Sequence, residues 1–396
     1  MLLPLALLSS ALAGPHITSV GPQVELEVAG TWGRVIPTEE GWMYTFSRSN
    51  DYWVAPLERS GDAWDLILDG QIQLTDHGDL KDHAIRICPD GTYLHTASLN
   101  LDEPNDSAYV YRYDGDWNPI GDAVIEEREP TRRHNDMPLL CSSVFTGTAF
   151  SGSGDAAGFF RINDDLSSER VAGLPREANS TGASMLADKD RGVFEFITTS
   201  VEGDLIRFTF DQDFNVVDQR STPIAEGGGE ITYWPQSALK VGDYYVVAVM
   251  SRQASWSGDD GDIILIVLGE DWNDLYQRVN VTNNPEDNLG MRPWIARKGS
   301  TLLVSYDRQR EHTVIEVGLD LTAFGLEPGE DDTGWGSGQP GSDGGSDGSG
   351  DGSSDGSGDS GEAASDAGGC GCAATSTGGG GLAFALGLLG LARRRA

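Results

Sequence analysis

One short pattern recurs along the middle of this chain. It consists of an alternating apolar strand, a tight turn that carries Asp, an apolar or aromatic residue, and often Asn or Ser before another strand. Clear copies begin at Tyr111, Arg161, Phe208 and Val267, and degenerate copies begin at Ser60 and Gly318. The repeated acids are Asp62, Asp116, Asp165, Asp213, Asp271 and Asp320. Such units bury their apolar faces by packing against one another, so the pattern predicts a repeat array.

The spacing of the repeats predicts the fold class. The acids recur about every 50 residues, which matches one long four-stranded blade of a β-propeller. The last unit ends near Phe324 with sequence for three strands, whereas residues 24–28 form a lone strand ahead of the first unit. We therefore predict an all-β fold, a six-bladed propeller in which the N-terminal strand completes the last blade and leaves no long unpaired edge. The domain resembles β-propeller repeat proteins without a specific family match.

The two ends differ in composition from the repeats. Residues 1–13 form a short apolar run that ends in Ala11-Leu12-Ala13, a small-x-small cleavage site, so we expect a signal peptide and export. The run has no Lys or Arg ahead of it, and a buried N-terminal strand or helix is the alternative. The propeller domain then spans residues 14–326. Residues 327–369 are rich in Asp, Gly and Ser with almost nothing apolar to bury, which predicts a disordered stalk.

The last segment, residues 370–396, has three parts in a fixed order. Cys370-Gly371-Cys372 is followed by an apolar run over residues 378–392 and then by three arginines. This order resembles the MYXO-CTERM sorting domain of myxobacterial surface proteins, which combines a Cys motif, a short transmembrane helix and an Arg cluster. The resemblance implies that Cys370 or Cys372 is processed or lipidated. The alternative is a pair of free thiols, or a strained bridge between them, in a disordered tail.

The same resemblance implies partners and a location. A sortase-like membrane protease would remove the helix and the arginines, and the tail would anchor the protein in the membrane at least transiently. The protein would then be displayed at the outer surface of the cell envelope. The apolar run of the tail is shorter than the roughly 20 residues that a permanent helical span needs, which suits a transient anchor.

Cys88 and Cys141 lie at matching positions, at the end of the first strand in the second and third units. Neighbouring blades could bring them together, and a disulfide closing this loop would contribute about 3 to 4 kcal/mol in the loop-entropy description. Two buried, reduced cysteines acting as small apolar residues fit these positions equally well.

The net charge excludes one class of partner. The chain has 27 Lys and Arg against 62 Asp and Glu, a formal net charge of -35. Its long-range field repels nucleic acid, so we expect no nucleic-acid binding. The same field favours a basic or cationic partner.

Candidate binding residues are those that enter the first strands of the units, because propellers bind ligands near the axis. They include His83, His134, Trp234, Arg292 and Trp294. Aromatic faces and polar groups at one opening would suit a sugar. A hydrolase would in addition use Asp82, Asp136 and Glu230 as base, modulator and acid, although a propeller this acidic would show some acids there in any case.

Other motifs give little support for further chemistry. Asp211, Asp213 and Asn215 have EF-hand spacing, but Val216 and Thr222 stand where that loop needs Gly and Glu, so a turn is predicted rather than a Ca²⁺ site. The histidines show no zinc-site spacing. No stretch fits the Ser-x-Asp-x-Gly-x-x-Trp box of sialidase-type propellers. We expect no cofactor.

Three functions are consistent with these features. The first is an exported, surface-anchored, non-enzymatic binding or adhesion module whose ligand is a carbohydrate, a peptide or an envelope protein. The second is a secreted glycan-active hydrolase that uses acids at the axial mouth. The third is a structural coat component whose channel is plugged by large side chains and shows no convergent polar groups.

Overall fold

The computed structural model describes thirteen stretches of the chain, with short gaps between them. They are residues 16–30, 32–78, 80–99, 108–121, 124–126, 138–150, 158–178, 182–200, 203–224, 231–253, 262–282, 290–308 and 311–326. The predicted signal peptide, stalk and sorting tail lie outside these residues. Within them, no helix has the length and apolar character needed to cross a membrane.

The described residues form six antiparallel sheets that follow one another along the chain. A separate strand, β1 (Ile17–Ala29), precedes them. Blade 1 comprises β2 (Arg34–Pro37), β3 (Trp42–Arg48), β4 (Asp51–Ser60), β5 (Ala63–Leu66) and β6 (Ile72–Gln73). Its outer edge is divided, because β5 and β6 pair with different parts of β4 on either side of a 3-10 turn at Leu68–Gly70.

The next four blades are regular and have four strands each. Blade 2 comprises β7 (Leu80–Ile87), β8 (Tyr93–Leu99), β9 (Ala108–Tyr113) and β10 (Val124–Glu126). Blade 3 comprises β11 (Leu139–Leu140), β12 (Gly147–Phe150), β13 (Gly158–Ile162) and β14 (Ser168–Gly173). Blade 4 comprises β15 (Ser184–Asp188), β16 (Val193–Thr199), β17 (Leu205–Phe210) and β18 (Val216–Thr222). Blade 5 comprises β19 (Ile231–Val241), β20 (Tyr244–Gln253), β21 (Ile263–Gly269) and β22 (Leu275–Asn280).

Blade 6 is completed from the other end of the chain. It comprises β23 (Gly290–Lys298), β24 (Thr301–Arg308) and β25 (Glu311–Leu319), and β1 pairs antiparallel with β25 as the fourth strand. Gln277 of blade 5 secures the start of β1, since its Oε1 accepts the Ile17 N–H at 2.9 Å. The predicted six-bladed propeller and its closure by the N-terminal strand are confirmed.

The core lies between the blades. The first strands of neighbouring blades contact one another, as seen for β23 with β2, β7 with β11, β11 with β15, β15 with β19 and β19 with β23. Each sheet is thus covered on both faces by its neighbours, and every residue of β17 and β21 is buried. This is why β21 is a continuous apolar run rather than an alternating one, and why the two polar residues of β17, Arg207 and Thr209, are buried as well.

The repeated turn follows the third strand of each blade, and in blades 1 to 5 it leads into the fourth strand. In five of the six copies an Asp side chain accepts the backbone N–H of the Asn, Ser or Thr that follows the apolar residue, whereas in the degenerate copy Asp62 is followed by Ala63 and Trp64. The pairs are Asp114 with Asn118, Asp165 with Ser167, Asp211 with Asn215, Asp271 with Asn273 and Asp320 with Thr322. In blades 2 and 4 the accepting acid is therefore the first Asp of the turn, and the aligned acids Asp116 and Asp213 do not accept this bond.

A disulfide links two blades at their inner edge. Cys88 follows β7 and Cys141 follows β11, and the two sulfur atoms are bonded with their Cα atoms 5.0 Å apart. Of the two arrangements left open by the sequence, the structure contains the disulfide.

Candidate functional site at the propeller axis

Arginine and tryptophan side chains meet where the first strands of blades 6, 1 and 2 approach the axis. The Cζ atoms of Arg34 and Arg86 lie 4.7 and 3.9 Å from the ring centroid of Trp294. Those of Arg34 and Arg292 lie 5.3 and 4.3 Å from the ring of Trp32. We call these five residues the axial cluster. Because Arg86 belongs to blade 2 and Trp294 to blade 6, with blade 1 between them, this contact joins two blades that are not neighbours in the ring.

The cluster is enclosed except at one member. Trp32, Arg34, Arg86 and Trp294 are all buried, whereas the side chain of Arg292 is 23% exposed. The indole Nε1 of Trp294 donates to the backbone carbonyl of Val35 at 3.1 Å, so the ring also joins blade 6 to blade 1. A ligand arriving from solvent would meet Arg292 before the other members.

Asp307 of β24 holds the exposed end of the cluster in place. Its Oδ2 accepts the Trp32 N–H at 2.7 Å and lies 3.3 Å from Arg292 Nη1, and its Oδ1 lies 3.3 Å from His312 Nδ1. Burial opposes ionisation of Asp307, but His312, Arg292 and the Trp32 N–H outweigh it and lower the pKa. The Asp307 carboxylate is therefore charged, and both of its oxygens already have partners. A group in this state is not suited to act as a general acid.

The backbone around the cluster is unusual. Trp32 and Arg292 have φ values of 68° and 56°, a region that bulky residues seldom adopt. Arg292 also lies in a bulge of β23, between Met291 and Trp294. Bulges and non-glycine residues at positive φ concentrate at functional sites, where they aim a side chain. Arg292 is thus positioned at a cost in backbone strain.

His83 is buried behind the cluster with both ring nitrogens engaged. Its Nε2 lies 2.6 Å from the Trp32 carbonyl oxygen, which can only accept, so the proton is on Nε2. Its Nδ1 then accepts from His95 Nε2 at 3.2 Å. Burial, with the neighbouring His95 and Arg34, lowers the pKa of His83, and burial lowers the pKa of His95 to about 3. The pair is neutral and fastens blade 2 to blade 1.

The structure brings together three of the residues expected to bind ligand. His83, Arg292 and Trp294 all lie around Trp32 and Arg34, but His83 has no ring nitrogen left for a ligand in this arrangement. His134, Asp136 and Glu230 lie outside the described residues, as do Cys370 and Cys372. Asp82 and Trp234 fall within β7 and β19, but their side chains are not described.

Four residues of the axis were not found by sequence reasoning: Trp32, Arg34, Arg86 and Asp307. Arg86 left a visible signal, because it is a charged residue that stands directly between two isoleucines, Ile85 and Ile87, near the end of a first strand. Asp307 left none. Its partner Trp32 is 275 residues away in sequence, and only the ring closure joins them.

Comparison with known proteins adds the fold and little else. No protein-family model matches the chain, and no curated protein matches its sequence. A solved protein of unknown function from Dyadobacter fermentans superposes with a TM-score of 0.52 at 12% identity, covering 76% of this chain and 99% of that one. An α-L-arabinanase of Penicillium chrysogenum, complexed with arabinobiose, gives 0.50 at 13% identity, covering 78% and 98%.

A third solved structure is more distant. The SapL1 lectin in complex with α-methyl fucoside superposes with a TM-score of 0.44 at 9% identity, covering 71% of this chain and 89% of the lectin. At identities this low the similarity concerns the fold alone.

Proposed function

We propose that this protein is an exported, surface-displayed binding module that takes a polar ligand, in the first instance a carbohydrate, at the axial face where the first strands begin. The observation that carries the proposal is Arg292. It is the partly exposed member of the axial cluster, it is held by Asp307 and stacked on Trp32, and its backbone is strained. A guanidinium fixed in this way presents planar donors that suit sugar hydroxyl or carboxylate groups.

The chemistry of Asp307 favours binding over hydrolysis. A glycosidase needs a carboxyl group that keeps its proton and a second carboxylate about 5 or 6.5–9.5 Å away. Asp307 is instead kept charged by its partners, and its oxygens are engaged. Large side chains fill the axis beside it, so the described residues there are arranged to hold an arginine rather than to transfer a proton.

Export is supported by the disulfide between Cys88 and Cys141. Such bonds persist in oxidising compartments and are rare in the cytosol. Together with the cleavage site at residues 11–13 and the three-part tail, this favours a protein that crosses the inner membrane and is displayed on the envelope. The tail would be processed at Cys370 or Cys372 by a sortase-like membrane protease.

The binding proposal is tested with the full-length chain, expressed in a host that exports it, against immobilised oligosaccharides and soluble polysaccharides. We expect saturable binding without release of reducing ends. Arg292→Lys, which keeps the charge but loses the planar fork, should weaken binding by about tenfold or more. Arg59→Ala is the matched control, since Arg59 is an exposed arginine on the third strand of blade 1 that pairs with Glu316.

Each result decides a different part of the proposal. Release of reducing ends by the wild-type protein would show a hydrolase and overturn the non-enzymatic function. If the Arg292→Lys variant and the Arg59→Ala variant both bind as tightly as the wild type, the ligand binds away from the axis. Melting temperatures of both variants show whether any loss reflects unfolding.

The display proposal is tested by the intact mass of the protein recovered from the envelope of its native host, before and after hydroxylamine. We expect a chain that begins at Gly14 and ends near Cys370 or Cys372, with or without a lipid adduct. A chain that still extends to Ala396 would contradict processing of the tail.

A further inference from the structure

We propose that a small anion binds inside the propeller axis, against the Nε–Nη2 edge of Arg86. This site is separate from the proposed ligand site at Arg292 and does not depend on it. It lies within the axial cluster, where Arg86 of blade 2 reaches the ring of Trp294 in blade 6.

The first observation is the state of the Arg86 guanidinium. The residue is 6% exposed, and its Nη1 donates to the adjacent Ile85 carbonyl at 3.3 Å. Its Nε and Nη2 are buried and have no hydrogen-bond partner among the residues that the structure describes. These two nitrogens form one side of the guanidinium, and their N–H bonds point in the same direction.

The second observation is the charge of the surroundings. Arg34 lies beside the same indole ring, and burial together with the positive charge of Arg34 lowers the pKa of Arg86. The Trp294 ring lies over a face of the guanidinium. It therefore accepts no hydrogen bond from the N–H groups at the Nε–Nη2 edge, which lie in the guanidinium plane. Arginine keeps its proton in proteins, so the buried cation of Arg86, placed beside a second arginine, needs a counter-charge. Water could accept the hydrogen bonds but would leave the charge uncompensated.

A second buried arginine shows how this fold neutralises such a charge with its own residues. Arg207 is 4% exposed and lies 3.1 Å from Asp218 and 3.5 Å from Glu195. Its Nη1 also donates to the Tyr245 hydroxyl at 2.9 Å. Arg207 thus has two carboxylates, whereas the described contacts of Arg86 are a carbonyl, an indole ring and another arginine. The contrast assigns the missing charge at Arg86 to a bound ion.

The geometry limits what the ion can be. Two parallel N–H donors suit a halide or one edge of a small planar carboxylate such as formate. The donors are buried beside the Trp294 ring, so a large phosphate ester or a polysaccharide carboxylate would not reach them. We therefore assign a small, freely diffusing anion, for which chloride is the probe.

The test titrates sodium chloride into full-length protein held in sodium gluconate, at constant ionic strength, and measures the melting temperature. The melting temperature of wild-type protein should begin to rise near the dissociation constant and then increase by about 2 °C for each further tenfold increase in chloride. Arg86→Met removes the charge while keeping apolar volume, and its melting temperature should not respond to chloride. Arg207→Lys, a buried arginine with its own carboxylates, should lower the starting temperature but keep the response.

A second measurement locates the ion directly. Crystals grown in sodium bromide should show an anomalous peak within hydrogen-bond distance of Arg86 Nε and Nη2, and crystals of the Arg86→Met variant should lack it. The proposal is overturned if wild-type melting is indifferent to chloride, or if the Arg86→Met variant responds as the wild type does. A bromide map with density only of water size beside Arg86 would overturn it as well.

Discussion

At the residue scale, His83 and His95 show how polar side chains are buried in this propeller without carrying charge. Each ring lies against Tyr52, and a hydrogen bond links the two imidazoles. Burial lowers the pKa of both rings, that of His95 to about 3. Both rings are therefore neutral in the folded protein at pH 7. In the unfolded chain, by contrast, a histidine binds a proton with its ordinary pKa of about 6.5.

We expect this pair to make the protein sensitive to mild acid. The folded pKa values are lowered, so stability is complete above pH 6.5 and falls as the pH falls toward the folded values. Each histidine contributes a slope of about 1.4 kcal/mol per pH unit in that window. Urea unfolding at several pH values between 7.5 and 4.5 measures the slope.

Two variants separate this pair from the other histidines. His95→Gln keeps a hydrogen-bond donor and removes one titrating group, so it should lower the slope by about 1.4 kcal/mol per pH unit. His77→Gln, at a histidine that lies exposed on the surface, is the control for replacing a histidine as such. An unchanged slope in the His95→Gln variant would show that the pair does not set the acid response.

At the element scale, the repeated turn is stabilised by whichever acid can reach the N–H at its end. In blade 4 Asp211 accepts the N–H groups of Asp213 and Asn215. In blade 5 glycine occupies the first position of the turn, and Asp271 accepts from Asn273 instead. In both turns the apolar residue, Phe214 or Trp272, has positive φ. The two turns thus share the hydrogen bond from an Asp side chain to the last backbone N–H, although the Asp that accepts it stands at different positions.

This arrangement predicts that two neighbouring acids of one turn differ in importance. Asp211→Ala should lower the melting temperature at pH 7, because two backbone N–H groups lose their acceptor. Asp213→Ala, the matched control, removes an equal charge from the same turn and should have a much smaller effect. Equal effects of the two substitutions would mean that net charge, and not the hydrogen bonds, stabilises the turn.

The effect of Asp211→Ala should also depend on pH. The side-chain and backbone hydrogen bonds from Asn215 lower the pKa of Asp211. A lowered carboxyl pKa contributes stability that is present above the unfolded value of about 3.9 and is lost as the pH falls below it. The difference between wild type and variant should therefore shrink in scans near pH 2.

The disulfide between Cys88 and Cys141 acts on the first strands of two blades. Replacing both cysteines by alanine should reduce the free energy of unfolding by about 3 to 4 kcal/mol, through a freer unfolded chain. Denaturant unfolding with and without reductant measures this. Reductant should destabilise the wild type by a similar amount and leave the double variant unchanged. Loss of stability in the double variant on adding reductant would point to a second disulfide and contradict this account.

At the scale of the whole molecule, stability depends on the ring being closed by β1. Leu26 is the buried residue of this strand that packs between blades 6 and 1, with Val35 and Leu303. Leu26→Ala should cost about 2 to 4 kcal/mol and should lower the temperature of a single cooperative transition, because opening the ring leaves the edge of β25 unpaired. Glu27→Ala changes the exposed neighbour and should cost less than about 0.5 kcal/mol. Differential scanning calorimetry distinguishes one transition from two.

Much of this architecture could be predicted from sequence, because it depends on contacts between residues close in the chain. A period of about 50 residues, with an Asp turn in each unit, is sufficient to count blades, and a lone strand before the first unit implies closure. The pairing of Cys88 with Cys141 was visible as equal positions in adjacent units, although position did not decide between a bond and two thiols.

The axial cluster was decided by the tertiary structure. Trp32, Arg86, Trp294 and Asp307 come from three blades, and each lies in a stretch whose local pattern predicts only a strand or a turn. Sequence periodicity records which face of a strand is apolar; it does not record which side chains meet across a ring that closes through its first and last segments. The local sequence pattern thus determined the blades. Closure of the ring determined the axial cluster, because it brings together charged residues that are distant in the sequence.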